Sequence, residues 1–219
     1  DLETSRGLGD VYKRQALINN AGGDASVIVA TDGVEPILVD GEIDPHAWNA
    51  LTNGVIYVEN IAAAMAAADA GNADAYKANA ASYIAKLRAL HASAADRFGS
   101  LPEDGRTVVT AHDAFGYLAD SYGLNFLAPV GIDTEAEPSA SELAALIAHL
   151  KETGAGALFV ENITSPALIE QISKETGLKI GGRLFSDALS ERGGPATSYV
   201  AMFEHNLGAI MTALEDSGS

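Results

Sequence analysis

The sequence predicts an α/β fold in which helices cover a parallel sheet, and two observations carry this prediction. First, short apolar runs alternate with helical patterns through the second half of the chain, which is typical of parallel β-α-β units. Second, residues 74–98 keep a helical pattern for about 25 residues, or roughly 37 Å at 1.5 Å per residue. A helix of that length could act as a strut between two lobes. The 219 residues, 47% of them hydrophobic, suffice for one large domain or two small lobes.

Before the long helix, the patterns predict one strand and one further helix. Residues 26–30 (SVIVA) are a short apolar run of the kind that forms a buried strand, and a loop follows them. A helix is expected to begin after Asp44 and Pro45 and to run towards Ala68. Asp44 would be its N-cap, and Pro45 suits a first helical turn.

The second half contains four extended segments with helical patterns between them. The strands are expected at 107–111, at 124–128, at 157–161 and, as one interrupted segment, at 178–180 and 183–186. The helices are expected at 113–122, from Ser139 onward, at 165–176 and at 197–214. Ser139 and Glu142 have the spacing of a capping box. Gly123 and Gly177 stand where a glycine commonly ends a helix.

The charge balance and the absence of cysteine exclude several classes of protein. Thirteen Lys and Arg stand against thirty Asp and Glu, a formal net charge of −17. A nucleic-acid-binding protein needs a basic face, and so does one that docks on anionic lipid. Without cysteine there are no disulfides, thiolate metal sites or cysteine nucleophiles. No apolar run reaches the length of a membrane span.

Side chains that can bind metals stand at the carboxyl ends of three predicted strands. They are His112, Glu161 and Asp187. Parallel sheets place ligands outside the carboxyl ends of their strands, so these side chains can converge. Imidazole nitrogen and carboxylate oxygen bind zinc, manganese or iron without a sharp preference. His46, near a predicted helix start in the other half, is a fourth candidate, and its distance from His112 along the chain suits a site between lobes.

Structural roles remain open for each of these residues. A single histidine at a strand end is often only a hydrogen-bonded structural residue. Asp187 could instead cap a helical turn, and Glu161 could pair with a Lys or Arg. The remaining histidines have no such placement. His91 and His149 have the positions of helix-surface residues, and His205 that of a packing or capping group.

Motifs for covalent or nucleotide chemistry are missing from the sequence. It has no G-x-S-x-G elbow, no G-x-x-x-x-G-K-[ST] loop, no G-x-G-x-x-G fingerprint and no H-E-x-x-H. No recognisable acid–base pair supports an enzyme.

Five stretches together carry a family resemblance. They are DGEIDPHAW at 40–48, TVVTAHDAFGYLADSYGL at 107–124, GIDTEAEPSASEL at 131–143, FVENITSPALIEQISKETG at 159–177 and GGRLFSDALSERGGPATSYVAMFEHN at 181–206. In content, order and separation they resemble the metal-specific solute-binding proteins of ABC importers, of the zinc and manganese type (the periplasmic zinc-binding family). The resemblance covers the chain from about Ala16 to its C-terminus.

This resemblance implies two α/β lobes joined by a long rigid helix, with one divalent ion held between them. It implies metal ligands at His46 in DPHAW, at His112 in AHDAF and at Asp187 in FSDAL. Manganese-type members tend to carry Glu where His112 stands, and imidazole at that position favours zinc as the softer choice. Glu161 lies in a matching stretch but is not carried over as a ligand.

Two features that the resemblance implies are absent from the sequence. The family's first histidine ligand belongs to an early segment of the first lobe, and residues 1–15 contain no histidine. The histidine-rich loop of many zinc members is also missing, since 31–43 is short and acidic. We therefore expect a fragment without its signal peptide, the first strands of its first lobe and one ligand. Three protein ligands and a water would hold the ion, with weaker affinity than in an intact protein.

The expected domain organisation follows from the patterns and the resemblance together. We expect a foreign or disordered leader at 1–15, a partial N-terminal lobe at 16–73, a linking helix at 74–99 and a C-terminal α/β lobe at 100–219.

The function that the resemblance implies is transport rather than catalysis. The protein would capture Zn(II) in the periplasm, or otherwise outside the cytoplasmic membrane, and deliver it to the permease of an ABC importer. We expect a monomer. Mn(II) or Fe(II) is the alternative cargo. Two further alternatives are a metal-dependent α/β hydrolase that uses the same three ligands and a fragment that binds nothing.

Overall fold

The computed structural model describes residues 27–102, 105–133, 138–153 and 155–217. The strands are β1 Leu38–Val39, β2 Glu42–Ile43, β3 Thr107–Val109, β4 Asn125–Leu127, β5 Ala157–Glu161 and β6 Ile180–Leu184. The helices are α1 Leu51–Ala68, α2 Ala73–Gly99, α3 Gly116–Tyr122, α4 Ala140–Thr153, α5 Ala167–Thr176 and α6 Tyr199–Ser217, with 3-10 turns at Ala47–Asn49 and Ala70–Asn72. The predicted leader at 1–15 lies outside the described residues.

A four-stranded parallel sheet organises the second half of the chain, in the order β4-β3-β5-β6. Val108 in β3 pairs with Phe126 in β4 on one side and with Ala157 in β5 on the other. β1 and β2 form a separate antiparallel hairpin. The predicted α/β fold, a parallel sheet flanked by helices, is confirmed. Because these strands run in one direction, their carboxyl ends meet at one edge of the sheet.

Apolar side chains cover both faces of this sheet. Val108 and Phe159 lie in one core with residues of α1, α2, α3 and α6. Val109 and Leu158, their neighbours in β3 and β5, lie in a second core with residues of α4 and α5. Successive side chains of a strand point to opposite faces, so a strand buried on both sides is a continuous apolar run, as in the sequence of β5.

The long helix is present, and α2 begins and ends within one residue of the predicted 74–98. Leu87, Ala94 and Phe98 are its buried residues, and they pack in the core that α2 shares with α1 and α6. Its other faces are mostly exposed, as expected of a helix rich in Ala, Lys and Arg. No helix in the described part of the chain is long and apolar enough to cross a membrane.

The strand predicted at 26–30 is wrong for the residues that the structure describes. Residues 27–30 form no strand, and Val27, Ile28 and Val29 are exposed. A strand needs a neighbour for its backbone hydrogen bonds. None of the described strands pairs with this run, so its apolar character alone did not make it a strand.

The helix predicted to follow Asp44 begins later than expected. The 3-10 turn at Ala47–Asn49 comes first, and α1 starts at Leu51. Asp44 does not cap α1. Its Oδ1 accepts the backbone N–H of His46 at 2.9 Å, four residues before α1 would need a cap. The carboxylate is therefore used to fix the position of His46.

The predicted capping box and the two predicted helix-ending glycines are confirmed. Ser139 and Glu142 form the capping box, because each side chain accepts the backbone N–H of the other, at 2.8 Å to Glu142 and 3.2 Å to Ser139. Gly123 and Gly177 end α3 and α5 with φ values of 63° and 79°. These left-handed conformations are strained for other residues.

Candidate metal centre

His112 lies just beyond β3, where the parallel pairing continues for one more step. An isolated parallel bridge joins His112 to Val130, beyond the end of β4. Thr110 Oγ1 donates to the carbonyl oxygen of His112 at 3.0 Å. The imidazole is fully buried, with 0% of the residue exposed. The sheet edge therefore fixes both the backbone and the direction of this side chain.

His46 lies between β2 and the 3-10 turn at Ala47–Asn49 and is also buried. Asp44 Oδ1 accepts its backbone N–H and lies 2.7 Å from its Nδ1. Asn49 Nδ2 donates to the carbonyl oxygen of Ala114 at 2.8 Å. This bond joins the turn after His46 to the residues that follow His112, so the two histidines are brought together from distant parts of the chain.

Asp187 follows β6 in a segment that is not helical, so it does not cap a helix there. The buried Asn206 of α6 holds the backbone of Phe185 from both sides. Its Oδ1 accepts the N–H of Phe185 at 3.0 Å, and its Nδ2 donates to the C=O at 2.8 Å. The side chain of Asp187 is 28% exposed, so solvent reaches it while both histidines are buried.

The structure brings His46, His112 and Asp187 together. One donor atom of each lies within 4.8 Å of those of the other two. Asp187 Oδ1 is 3.8 Å from His46 Nε2, and Asp187 Oδ2 is 3.5 Å from His112 Nε2. Ligand atoms at about 2.0–2.1 Å from a tetrahedral zinc ion lie roughly 3.3 Å from one another. These separations are close to that value and too long for ordinary hydrogen bonds.

Glu161 lies at the Nδ1 side of the His112 ring, whereas Asp187 lies at the Nε2 side. Its Oε1 accepts the backbone N–H groups of Ala111 and His112, each at 2.9 Å. Its Oε2 is 2.8 Å from His112 Nδ1, close but not well aligned for a hydrogen bond. A carboxylate at Nδ1 keeps the proton there and leaves the Nε2 lone pair free for a metal.

Asp44 has the same relation to His46 that Glu161 has to His112. In both pairs a buried carboxylate lies within 2.8 Å of Nδ1, and Nε2 is the nitrogen nearer to Asp187. Gly116 makes room for Asp44, because a Cβ at Gly116 would lie 2.8 Å from Asp44 Oδ2. The sequence interpretation missed both positioning roles. The D-x-H spacing of Asp44 and His46 is the only signal that could have suggested one of them.

Negative charge dominates the electrostatics of this group. Burial by itself lowers the pKa of His112. The nearby carboxylates of Asp187 and Glu161 outweigh burial and raise that pKa to about 9. Burial, and then the charge of Asp44, raise the pKa of Asp113 next to the site. Such a cluster favours a bound cation, and a metal that binds His112 at neutral pH must first displace a proton.

The other three histidines lie away from this group. His91 Nδ1 is 3.2 Å from the hydroxyl of Tyr122, and His205 Nε2 is 2.9 Å from the carbonyl oxygen of Arg183. His149 is exposed on α4. Among the described residues, His46, His112 and Asp187 form the one group of three or more side chains with the spacing of a metal site.

Comparison with known families agrees with the motifs. The family model of zinc-uptake complex component A, periplasmic, matches residues 7–213. The chain belongs to this zinc-uptake component A family. The resemblance drawn from the five stretches is thereby confirmed. It is a family of substrate-binding transport proteins rather than of enzymes.

Curated relatives of this chain are named as metal-binding components of ABC transporters. The iron ABC transporter substrate-binding lipoprotein MtsA of Streptococcus pyogenes serotype M1 is 35% identical over 189 residues. The metal ABC transporter substrate-binding lipoprotein SsaB of Streptococcus sanguinis is 32% identical over the same length. Each match covers 84% of this chain and 61% of the relative. The chain thus spans less than two thirds of these relatives.

Solved structures share the fold. The periplasmic zinc-binding protein TroA from Treponema pallidum superposes with a TM-score of 0.84 at 27% identity, covering 91% of this chain and 75% of TroA. The Mn-bound periplasmic metal-binding protein from Candidatus Liberibacter asiaticus gives a TM-score of 0.77 at 33% identity, covering 86% and 71%. The Cd-bound form of the latter protein gives a TM-score of 0.79.

Proposed function

We propose that this protein captures Zn(II) outside the cytoplasmic membrane and delivers it to the permease of an ABC importer. His46 and His112 would supply neutral Nε2 donors, and Asp187 an anionic oxygen. Membership of the zinc-uptake component A family supports the class of function. The names of the relatives and the term periplasmic in the family description support the location. Zinc is usually four-coordinate in such sites, so a water or another group would complete the three donors.

One observation carries this proposal: both histidines have a buried carboxylate at Nδ1 and turn Nε2 towards one shared carboxylate. Histidines that bind metals almost always have such a partner, which fixes the tautomer and the orientation of the ring. A histidine with a purely structural role needs no shared third group. Two such pairs facing Asp187 are therefore better explained by a common cation.

The choice of zinc rests on the donor atoms. Two imidazole nitrogens and one carboxylate suit zinc well. Among the divalent first-row transition metals, zinc binds such donors more tightly than iron or manganese does. The alternative cargo is Mn(II) or Fe(II). The name of MtsA specifies iron, and one solved structure of the Candidatus Liberibacter asiaticus protein is described as Mn-bound. Geometry and availability can reverse an order based on affinity, so the cargo has to be measured.

The exposure of the ligands indicates how an ion would enter and leave. Both imidazoles are buried, whereas Asp187 is partly exposed and lies in a segment outside regular structure. We infer that the ion enters past Asp187 and that release requires this segment to move. We further propose that the protein acts as a monomer and that α2 is the linking helix expected at 74–99, which joins a lobe at 16–73 to a lobe at 100–219 with little bending.

A titration of the single tryptophan tests the proposal. Trp48 is the only tryptophan of the chain, and its ring centroid lies 5.5 Å from that of His46. Adding Zn(II) to protein stripped with a chelator should change its fluorescence up to one equivalent. His112→Ala should abolish the change, and the control His149→Ala should leave it intact. Equal zinc affinity in His112→Ala and the unmodified protein would reject this site. Competition with Mn(II) and Fe(II) ranks the cargoes.

A further inference from the structure

Trp48 is in contact with two of the three proposed ligand segments. Its indole Nε1–H donates to the carbonyl oxygen of Ser186 at 2.9 Å, directly before Asp187. It also follows His46 by two residues, and the two rings meet edge to face with an interplanar angle of 73°. One side chain thus joins the His46 turn to the segment that carries Asp187, although 138 positions separate Trp48 from Ser186.

Two asparagine side chains also attach the segment around Asp187 by hydrogen bonds. Asn206 holds Phe185, and Asn162 Nδ2 donates to the carbonyl oxygen of Ala188 at 3.0 Å. Both of these residues belong to the part of the chain that carries the parallel sheet. Of these three side chains, only Trp48 belongs to the turn that follows His46. It therefore bears on the distance between Asp187 and His46 in a way that the other two do not.

The position of Trp48 is itself fixed by α6. The Tyr199 hydroxyl lies 2.7 Å from the carbonyl oxygen of Trp48 and 3.2 Å from that of Ala50, and it donates to them. Gly54 in the first turn of α1 leaves the space for this ring, because a Cβ there would lie 2.6 Å from the Tyr199 oxygen. The backbone of Trp48 is thus held while its indole reaches Ser186.

We propose that Trp48 is a positioning residue that holds the Asp187 segment against the His46 turn and so prolongs the residence of the bound ion. This inference rests on the proposed function, since it assigns Trp48 a role towards the ligands named there. With the indole bond intact, Asp187 stays within reach of both Nε2 atoms. With the bond broken, the exposed Asp187 can swing away while both histidines keep their own carboxylates.

The experiment removes the indole N–H by Trp48→Phe and measures both zinc dissociation and the mobility of residues 185–190. Trp48→Phe keeps an aromatic ring beside His46. The matched control, Tyr76→Phe, deletes a 2.9 Å hydrogen bond to Asp69 at the start of α2. Zinc dissociation into excess chelator should be about five- to tenfold faster in Trp48→Phe, with little change in the association rate. In metal-free protein, amides of 185–190 should exchange faster, while those of β5 should not change. Tyr76→Phe should behave like the unmodified protein.

Each outcome separates this inference from the proposed function. If the unmodified protein binds zinc and Trp48→Phe changes neither its dissociation nor the exchange of 185–190, the positioning role is wrong. If the unmodified protein binds no zinc, manganese or iron, the proposed function fails, and with it the role towards a metal, even if 185–190 loosens. Should Trp48→Phe not fold, Tyr199→Phe, which frees the backbone of Trp48, should raise the dissociation rate in the same direction. No increase in that variant would overturn the inference.

Discussion

Glu161 and Asp44 would control the proposed site, although neither is one of its proposed ligands. Each places a carboxylate at the Nδ1 of a histidine. Their effect is on which nitrogen carries the proton, and hence on whether Nε2 can bind a metal. A change in hydrogen-bonding character at these positions should therefore alter metal affinity more than it alters the fold.

Replacing Glu161 by Gln should weaken zinc binding by about 10- to 100-fold. The amide oxygen can still accept the backbone N–H groups of Ala111 and His112, but its NH₂ would face His112 Nδ1 and favour a proton on Nε2. Calorimetric titration measures the affinity. Glu170→Gln, on the exposed face of α5, is the control and should bind as the unmodified protein does. Equal affinities in the two variants would show that Glu161 does not orient the ring.

Zinc binding at pH 7 should release about one proton from the site. Asp187 and Glu161 raise the pKa of His112 to about 9, so the imidazole is protonated at neutral pH until a metal replaces the proton. Calorimetry in two buffers with different ionisation enthalpies counts that proton. The apparent affinity should rise with pH up to about 9. An identical heat in both buffers would contradict the protonation of His112.

The three residues that meet at the candidate site could be named from the sequence, but their surroundings could not. His112 and Asp187 were recognisable as polar residues after strands, and His46 through its place in DPHAW. Asp44, Glu161 and their contacts with Nδ1 depend on which residues meet in three dimensions. Apart from the D-x-H spacing of Asp44 and His46, spacing along the chain does not report such contacts.

At the scale of elements, the helix-ending glycines of α3 and α5 relieve backbone strain. Gly177 has φ of 79°, and a Cβ there would meet no atom within 4 Å. Gly177→Ala should therefore lower the free energy of unfolding by about 1 kcal/mol through backbone strain alone. Gly99→Ala, at the end of α2 and equally open but without a positive φ, should be neutral or slightly stabilising. Urea unfolding measures both, and equal losses would contradict the strain argument.

Elements with strong local signals were predictable, and those that depend on partners were not. α2 and the capping box of α4 follow from local sequence, and both are confirmed. The run at 26–30 has the composition of a strand, yet its described part has no pairing neighbour. The segments predicted at 178–180 and 183–186 belong to one strand, β6, because Gly182 still pairs with Phe159 of β5 across a register shift.

For the molecule as a whole, metal binding and folding should be linked. Zinc at a free concentration 100 times its dissociation constant should add about 2.7 kcal/mol to the free energy of unfolding, provided that the unfolded chain does not bind it. Thermal unfolding with and without zinc measures the change. His112→Ala should remove most of this stabilisation, and a full zinc effect in that variant would place the ion elsewhere.

Without metal, the free energy of unfolding should fall as the pH rises, whereas the affinity for zinc should rise with pH. The pKa of His112 is higher in the folded protein, about 9, than the ordinary 6.5. Its protonation stabilises the fold fully below pH 6.5, and this contribution is lost as the pH rises through 9, by something of the order of 3 kcal/mol. Unfolding in chelator across this range, followed by Trp48 fluorescence, measures the slope. His112→Gln should flatten the slope, whereas His149→Gln should not.

Anomalous diffraction at the zinc edge, on crystals of the zinc-loaded protein, tests the central claim most directly. We expect one strong anomalous peak bonded to Nε2 of His46, Nε2 of His112 and the carboxylate of Asp187. A zinc peak bound at other residues, or none in a protein loaded with one equivalent of zinc, would contradict the account.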